Sequence, residues 1–171
     1  MEIRGCLWLP LLSYKKERED VKMANTCWFE MLVKGNNTGI ERFLKAMKHS
    51  DNECWMGRGA FVDDAECEGG VARISGSCKW SIESALIRYA KEFEEERKKG
   101  VISSTISEVK RFVTLYDACD ELHLNMEVIS FEPGCGFSEH FKYENGEITE
   151  EKNSLGYDDE WVAEFNLAEP A

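Results

Sequence analysis

Cys135, His140 and Glu132 lie in one short stretch and are the three residue types a cysteine hydrolase needs: a thiol nucleophile, an imidazole base and an orienting acid. Such chemistry requires sulfur and imidazole within hydrogen-bond reach. The flanking pattern works against it. Phe137, Phe141 and Tyr143 alternate along one strand face, which puts His140 on the other face and leaves Cys135 in the preceding turn. A small residue in a tight turn is the simpler role for Cys135, so no catalytic residue is assigned and no enzymatic activity is expected. Three histidines (49, 123 and 140) and seven cysteines (6, 27, 54, 67, 78, 119 and 135) contain no paired spacing that brings two ligands to one ion. No metal, iron–sulfur cluster or other cofactor is therefore expected. Asp63-Asp64, Glu94-Glu95-Glu96, Glu150-Glu151 and Asp158-Asp159-Glu160 all sit in polar settings and read as solvated surface. Gly57-Arg58-Gly59 and Glu68-Gly69-Gly70 lack the spacing and the following Lys-Ser/Thr of a phosphate loop.

What rises above this background is charge. The chain carries 33 acids against 21 bases, a net −12, which opposes direct binding to nucleic acid and points to a partner with a basic or neutral surface. Phe29, Trp55, Phe61, Trp80 and Phe131 offer rings for a nucleic-acid module that stacks bases on a sheet, but the lysines and arginines are interspersed with acids and the rings read as core. From Glu144 to Ala171 nine acids meet one base, giving −8, and Trp161, Val162, Phe165 and Leu167 interleave with them. Two readings stay open for this segment. Its apolar residues dock it onto the domain, or Asp158, Asp159, Glu160, Trp161, Glu164 and Phe165 together engage a basic partner. An odd, scattered set of cysteines implies reduced thiols in a cytoplasmic protein, and no apolar run is long enough to span a membrane.

The elements that must hold these residues are legible as periodicities. Cys27–Gly35 alternates as a strand, and Thr38-Gly39-Ile40-Glu41 fits a capping box opening a helix striped by Ile40, Phe43, Leu44 and Met47. Residues 60–67 and 71–80 read as a hairpin across Glu68-Gly69-Gly70. Ser81 caps the clearest helix, striped by Ile82, Ala85, Leu86, Tyr89, Ala90 and Phe93 and closing at Arg97-Lys98-Lys99-Gly100. Thr105-Ile106-Ser107-Glu108 starts an added helix running to about Leu122, with Val109, Phe112, Val113 and Tyr116 inward. Residues 125–131 and 137–143 are strands, joined by Glu132-Pro133-Gly134-Cys135-Gly136-Phe137. Proline fixes φ there and the glycines permit positive φ, so this turn is expected to be structural. Asn145-Gly146 marks a further hairpin turn, residues 149–160 read as polar loop, and residues 161–167 as a short last element.

The Glu132–Phe137 turn, Ala24-Asn25-Thr26-Cys27, Gly35, Gly76-Ser77-Cys78-Lys79-Trp80 and Asn145-Gly146, taken in order, resemble the YubB-type ferredoxin-like domain of phage and plasmid proteins. Ser81 stands where that family has proline, and Ser138-Glu139 replaces a small-glycine step. The resemblance implies an α+β ferredoxin-like plait, an antiparallel sheet with helices on one face, here with an added helix and a C-terminal β-hairpin. It carries no known activity. It implies a non-catalytic accessory protein of a phage or mobile element, working in the host cytoplasm by binding another protein. The acidity extends this to an anti-CRISPR-like inhibitor that presents carboxylates to a nucleic-acid-binding defence complex. A nucleic-acid module using the sheet face, or an uncharacterised enzyme, is the alternative. Residues 23–171 are expected to form the single domain, with its acidic segment at about 144–171. Residues 1–22, including the apolar Gly5–Leu12, are expected to be either a non-native extension before a start at Met23 or an apolar arm.

Overall fold

A computed structural model describes residues 26–56, 60–88, 95, 98–99 and 109–167. The 1–22 extension, Tyr89, Ala90 and Phe93 of the long helical stripe, its stop at 97–100 as a unit, and the capping box at 105–108 lie outside the described residues.

Among the described residues, eight strands and three α-helices follow the order β1 (Thr26–Lys34), α1 (Asn37–Met47), β2 (Trp55–Met56), β3 (Phe61–Glu68), β4 (Val71–Lys79), a π-helical segment (Glu83–Arg88), β5 (Phe112–Val113), α2 (Leu115–Leu122), β6 (Asn125–Glu132), β7 (Phe137–Glu144), β8 (Glu147–Leu155) and α3 (Asp159–Leu167). Six strands form one sheet in the order β3-β4-β1-β6-β7-β8, every neighbouring pair antiparallel. β2 and β5 form a separate two-stranded parallel pair. The architecture is α+β.

Strand alternation sorts the sheet into two faces. Cys27, Phe29, Met31 and Val33 of β1, Ala72, Ile74 and Cys78 of β4, Met126 and Val128 of β6, and Phe141 and Tyr143 of β7 line one face. Ile40, Phe43 and Met47 of α1 close over it with Ile82, Ala85 and Leu86, as the helical stripes predict; Ala46 is buried beside them and Leu44 packs there half-buried. The opposite face receives α3. Phe165 packs on Leu32 and Ile129, with Trp161, Val162 and Val71 around them. The expectation of helices on one face alone is therefore corrected: the apolar residues at 161, 162 and 165 supply a second, smaller core that only the far face of the sheet leaves open.

Local chemistry moves several boundaries. Asn36, not Thr38, caps α1, its side chain accepting from the Gly39 amide at 2.7 Å; asparagine outranks threonine as a cap and stands directly after the strand-ending Gly35. The helix expected to run into Leu122 instead begins at Leu115. Thr114 and Asp117 form the capping box there, with Asp117 N to Thr114 Oγ1 at 3.0 Å and Thr114 N to Asp117 Oδ2 at 3.2 Å. Phe112 and Val113 are strand residues paired with Trp55 and Met56, buried as expected but in a different element. The expected polar loop at 149–160 is corrected to β8 followed by the start of α3. β8 is an edge strand with most side chains exposed, so the alternation that reveals a strand is absent; its charges, like those of β3, discourage pairing with another chain. Phe61 and Trp80, read as core, are 55% and 54% exposed.

Candidate functional site

The Glu132–Phe137 turn is built around a carboxylate. Glu132 is buried, and its side chain accepts from the Gly134 amide at 2.9 Å and from the Cys135 amide, while its carbonyl accepts from Gly136 N at 2.9 Å. Gly136 takes φ +68°, the left-handed value the turn requires, and its carbonyl accepts from Gly156 N at 2.7 Å, tying the turn to the end of β8. A Cβ at Gly134 would lie 2.7 Å from Glu132 Oε1, so a side chain there would displace the carboxylate that the turn amides bond. Pro133 leads into the turn, and Phe137 opens β7 opposite Glu132.

This geometry does not assemble a cysteine hydrolase. Cys135 is exposed in the turn, and its contact with the Glu132 carboxylate raises the thiol pKa, the wrong direction for a nucleophile. His140 faces away on the α3 side. Its Nε2 lies 2.9 Å from Glu127 Oε1, and its buried Nδ1 has no hydrogen-bond partner among the described residues, Glu150 Oε2 standing 3.8 Å off. The His140 bond, with Lys142 assisting, holds Glu127 below the usual carboxylate range. Lys142 reaches Glu127 and Glu144, Lys152 pairs with Glu150, and the Trp161 ring lies 5.6 Å from that of His140. An ionic network therefore underlies α3.

The six residues singled out for partner binding separate by side. Asp158 caps α3, its Oδ1 accepting from Glu160 N at 3.1 Å and Trp161 N at 3.3 Å. Trp161 is half-buried and Phe165 buried against the sheet, whereas Asp159, Glu160 and Glu164 are exposed. The apolar members thus anchor the helix, Asp158 caps it, and Asp159, Glu160 and Glu164 are left exposed.

Two features escape sequence reasoning. Glu139 is 1% exposed, accepting from Ile82 N at 2.8 Å and Ser130 Oγ at 2.8 Å; burial raises its pKa. The available signal was its place between Phe137 and Phe141 on the ring-bearing face of β7. Ser81, the departure from proline, caps the same turn, its Oγ accepting from Ser84 N at 2.9 Å. Glu139 and Glu83 line a cavity of about 270 Å³ with Ser81, Phe137, Asn153, Ser154 and Leu155. The second feature is Glu30 on the α3 side of β1, pushed up to about 7 chiefly by burial, with Asp64 adding and Arg73 opposing. A lone Glu in an apolar strand gave no sign of that environment. Among the described residues no helix is long and apolar enough to cross a membrane, and no group of three or more His, Cys, Asp and Glu side chains is placed to hold a metal ion.

Comparison of the chain with protein-family models, with curated proteins and with solved structures finds no match in any of the three.

Proposed function

We propose that this protein acts without catalysis, by binding another protein through an acidic surface carried on α3. One observation carries the reading: Trp161 and Phe165 fix the helix to the sheet while Asp159, Glu160 and Glu164 stand outward. Carboxylates on an anchored helix are preorganised, so meeting a basic surface costs little ordering entropy. The partner is a host or defence-system protein with a basic surface, and the anti-CRISPR-like form of the activity is the occupation of a site that otherwise holds phosphates. In this reading the chain is a YubB-type protein of a phage or mobile element, working in the cytoplasm. Its ferredoxin-like plait is supported by connectivity: β1, α1, β3, β4, a helical region and β6 follow in sequence, and those strands lie in the order β6-β1-β4-β3.

The second reading, a nucleic-acid module on the sheet face, draws on Phe61, Trp28 and Phe131, which one row of the sheet aligns. Asp64 and Glu30 occupy the next row and oppose phosphate. An enzymatic reading would use the cavity beside Glu139, but that carboxylate already accepts from Ile82 N and Ser130 Oγ.

The test compares tagged wild type with a D159K/E160K/E164K variant in pull-downs from the native host, quantified by mass spectrometry. A protein partner should be recovered with wild type, be depleted with the variant, and be released at about 0.5 M salt, where the Debye length is about 4 Å. Recovery that survives both charge reversal and salt, or recovery of nucleic acid alone, overturns the proposal.

A further inference from the structure

The α3 face of the sheet has an end the helix does not occupy. Register places Phe61, Ser77, Trp28, Phe131, Ser138 and Ser154 in one row across all six strands. Tyr157, just beyond β8, meets Phe131 edge-on, with ring centroids 5.2 Å apart at 87°. Ser77 and Ser138 are buried, while Phe61 is 55% and Tyr157 44% exposed and Trp28 and Phe131 are half-buried, so the rings stand above the small side chains between them. The adjacent row is Asp64, Ser75, Glu30, Ile129, His140 and Lys152, which sets two carboxylates beside Phe61 and Trp28.

We propose that this aromatic row is a docking platform for an arginine-bearing segment of the partner protein, the guanidinium stacking on Trp28 and Phe61 with Glu30 and Asp64 as its counter-charges. Arginine fits because its planar cation both stacks on rings and bonds carboxylates. Burial has already raised the Glu30 pKa, and a nearby cation favours its ionised form. A purely apolar occupant would desolvate Glu30 further and bury the exposed Asp64, with only Arg73 nearby to offset the cost. Nucleobases also stack on such rings, but their phosphates would run past Asp64, Glu30 and Glu66. Of the cations on this face, Lys142 and Lys152 are already paired with glutamates, Arg73 lies in the field of Glu30, Lys34 lies in that of Glu127, and exposed Lys79 ends β4 on the side of the aromatic row away from Glu30 and Asp64. The inference rests on the reading that the partner is basic, and it adds where on the molecule, and by which side chain, that partner is recognised.

The test uses the full chain and three fluorescein-labelled probes followed by anisotropy at about 50 mM salt: a short peptide alternating arginine and glycine, the same peptide with citrulline for arginine, and oligothymidylate. Wild type should bind the arginine peptide about tenfold more tightly than the neutral citrulline one, and oligothymidylate more weakly than either. Phe61→Ser and Glu30→Gln should each weaken the arginine peptide by about fivefold, in the range of a cation–π contact, without a lower melting temperature. The D159K/E160K/E164K variant should keep this ring-dependent binding. The proposal is overturned if both Phe61→Ser and Glu30→Gln bind as wild type, if the arginine peptide fails to bind wild type, or if oligothymidylate binds and Phe61→Ser abolishes it, which would give the face to nucleic acid. Should Phe61→Ser lose structure, Glu30→Gln decides. Loss on α3 charge reversal alone refutes the platform while leaving the acidic-helix reading intact; ring-dependent peptide binding combined with a pull-down indifferent to α3 reversal does the opposite.

Discussion

Replacing Glu132 with alanine removes an acceptor that the turn between β6 and β7 is folded around. The side chain is 1% exposed and accepts from two consecutive amides, those of Gly134 and Cys135. A hydrogen bond to a charged group contributes about 1.5–3 kcal/mol, so two set an upper bound near 6 kcal/mol. Two effects lower it: burying the carboxylate is itself costly, and Gly134 and Cys135 are exposed, so water can replace the lost acceptor. The net loss for Glu132→Ala is expected to be about 2–3 kcal/mol, with Glu132→Gln losing less because it retains one oxygen. For a chain of this size that corresponds to a fall in Tm of roughly 4–12 °C. Urea denaturation gives the free energy, and amide hydrogen exchange at Gly134 and Cys135 gives the local effect. Two companion variants separate the carboxylate from the rest of the turn. Gly136→Val forces a β-branched residue to φ +68° and should destabilise by at least about 1–2 kcal/mol, whereas Cys135→Ser should leave folding intact. Tm values for Glu132→Ala within error of wild type, with exchange at Gly134 and Cys135 unchanged, would refute the carboxylate-centred turn.

Two further outcomes follow from burial. Phe43 is fully buried between α1 and the sheet, so Phe43→Ala should cost about 3–5 kcal/mol in urea unfolding; a change within error would place the α1 stripe in solvent and invalidate the packing. Glu30 tests linkage. Its pKa is raised in the fold from 4.5 to about 7, so the folded state holds a proton that the unfolded chain has lost between those values. That contribution to stability is full below 4.5 and disappears as pH rises through about 7, so wild type should lose Tm relative to Glu30→Gln between pH 5 and 8. Parallel Tm profiles of the two proteins across that range would show that Glu30 ionises normally.

How much of this was legible depends on whether one residue or a period carried the signal. The α1 stripe, the rings at 137, 141 and 143, and the Asn145-Gly146 turn, both residues at left-handed φ, are periodic or conformational signals that survive tertiary context. The cap of α1 slipped from Thr38 to Asn36 because two acceptor residues compete within one turn. Phe112 and Val113 suit a helix on spacing alone because Val109, Phe112, Val113 and Tyr116, apolar at helical intervals, also fit a short strand followed by a capped helix. β8 was invisible because an edge strand with solvent around it has no face to alternate. At the site, the apolar residues at 161 and 165 signalled docking, but not onto which face, because that depends on Leu32 and Ile129, distant in sequence. Glu30, Glu132 and Glu139 are defined by what surrounds them, which a residue type alone does not encode.

The ionic network under α3 has a consequence for both surfaces. Well-packed apolar side chains in place of His140, Glu127 and Glu150 would stabilise the contact at least as well, since partly buried charges lose hydration. Direction comes from the particular side chains that meet α3. An apolar strip tolerates a helix in several registers, whereas the Trp161 ring beside His140, with Phe165 on Leu32 and Ile129, fixes one. That register sets where Asp159, Glu160 and Glu164 stand. It also fixes Tyr157, which packs on Phe131 directly before the Asp158 cap and so joins the aromatic row to the acidic helix. Both surfaces are then held on one face of the sheet in a constant relation. A single basic segment lying on the rings and passing the end of α3 would meet the second set of charges at high effective concentration, so the two contacts should reinforce each other beyond the strength of either alone.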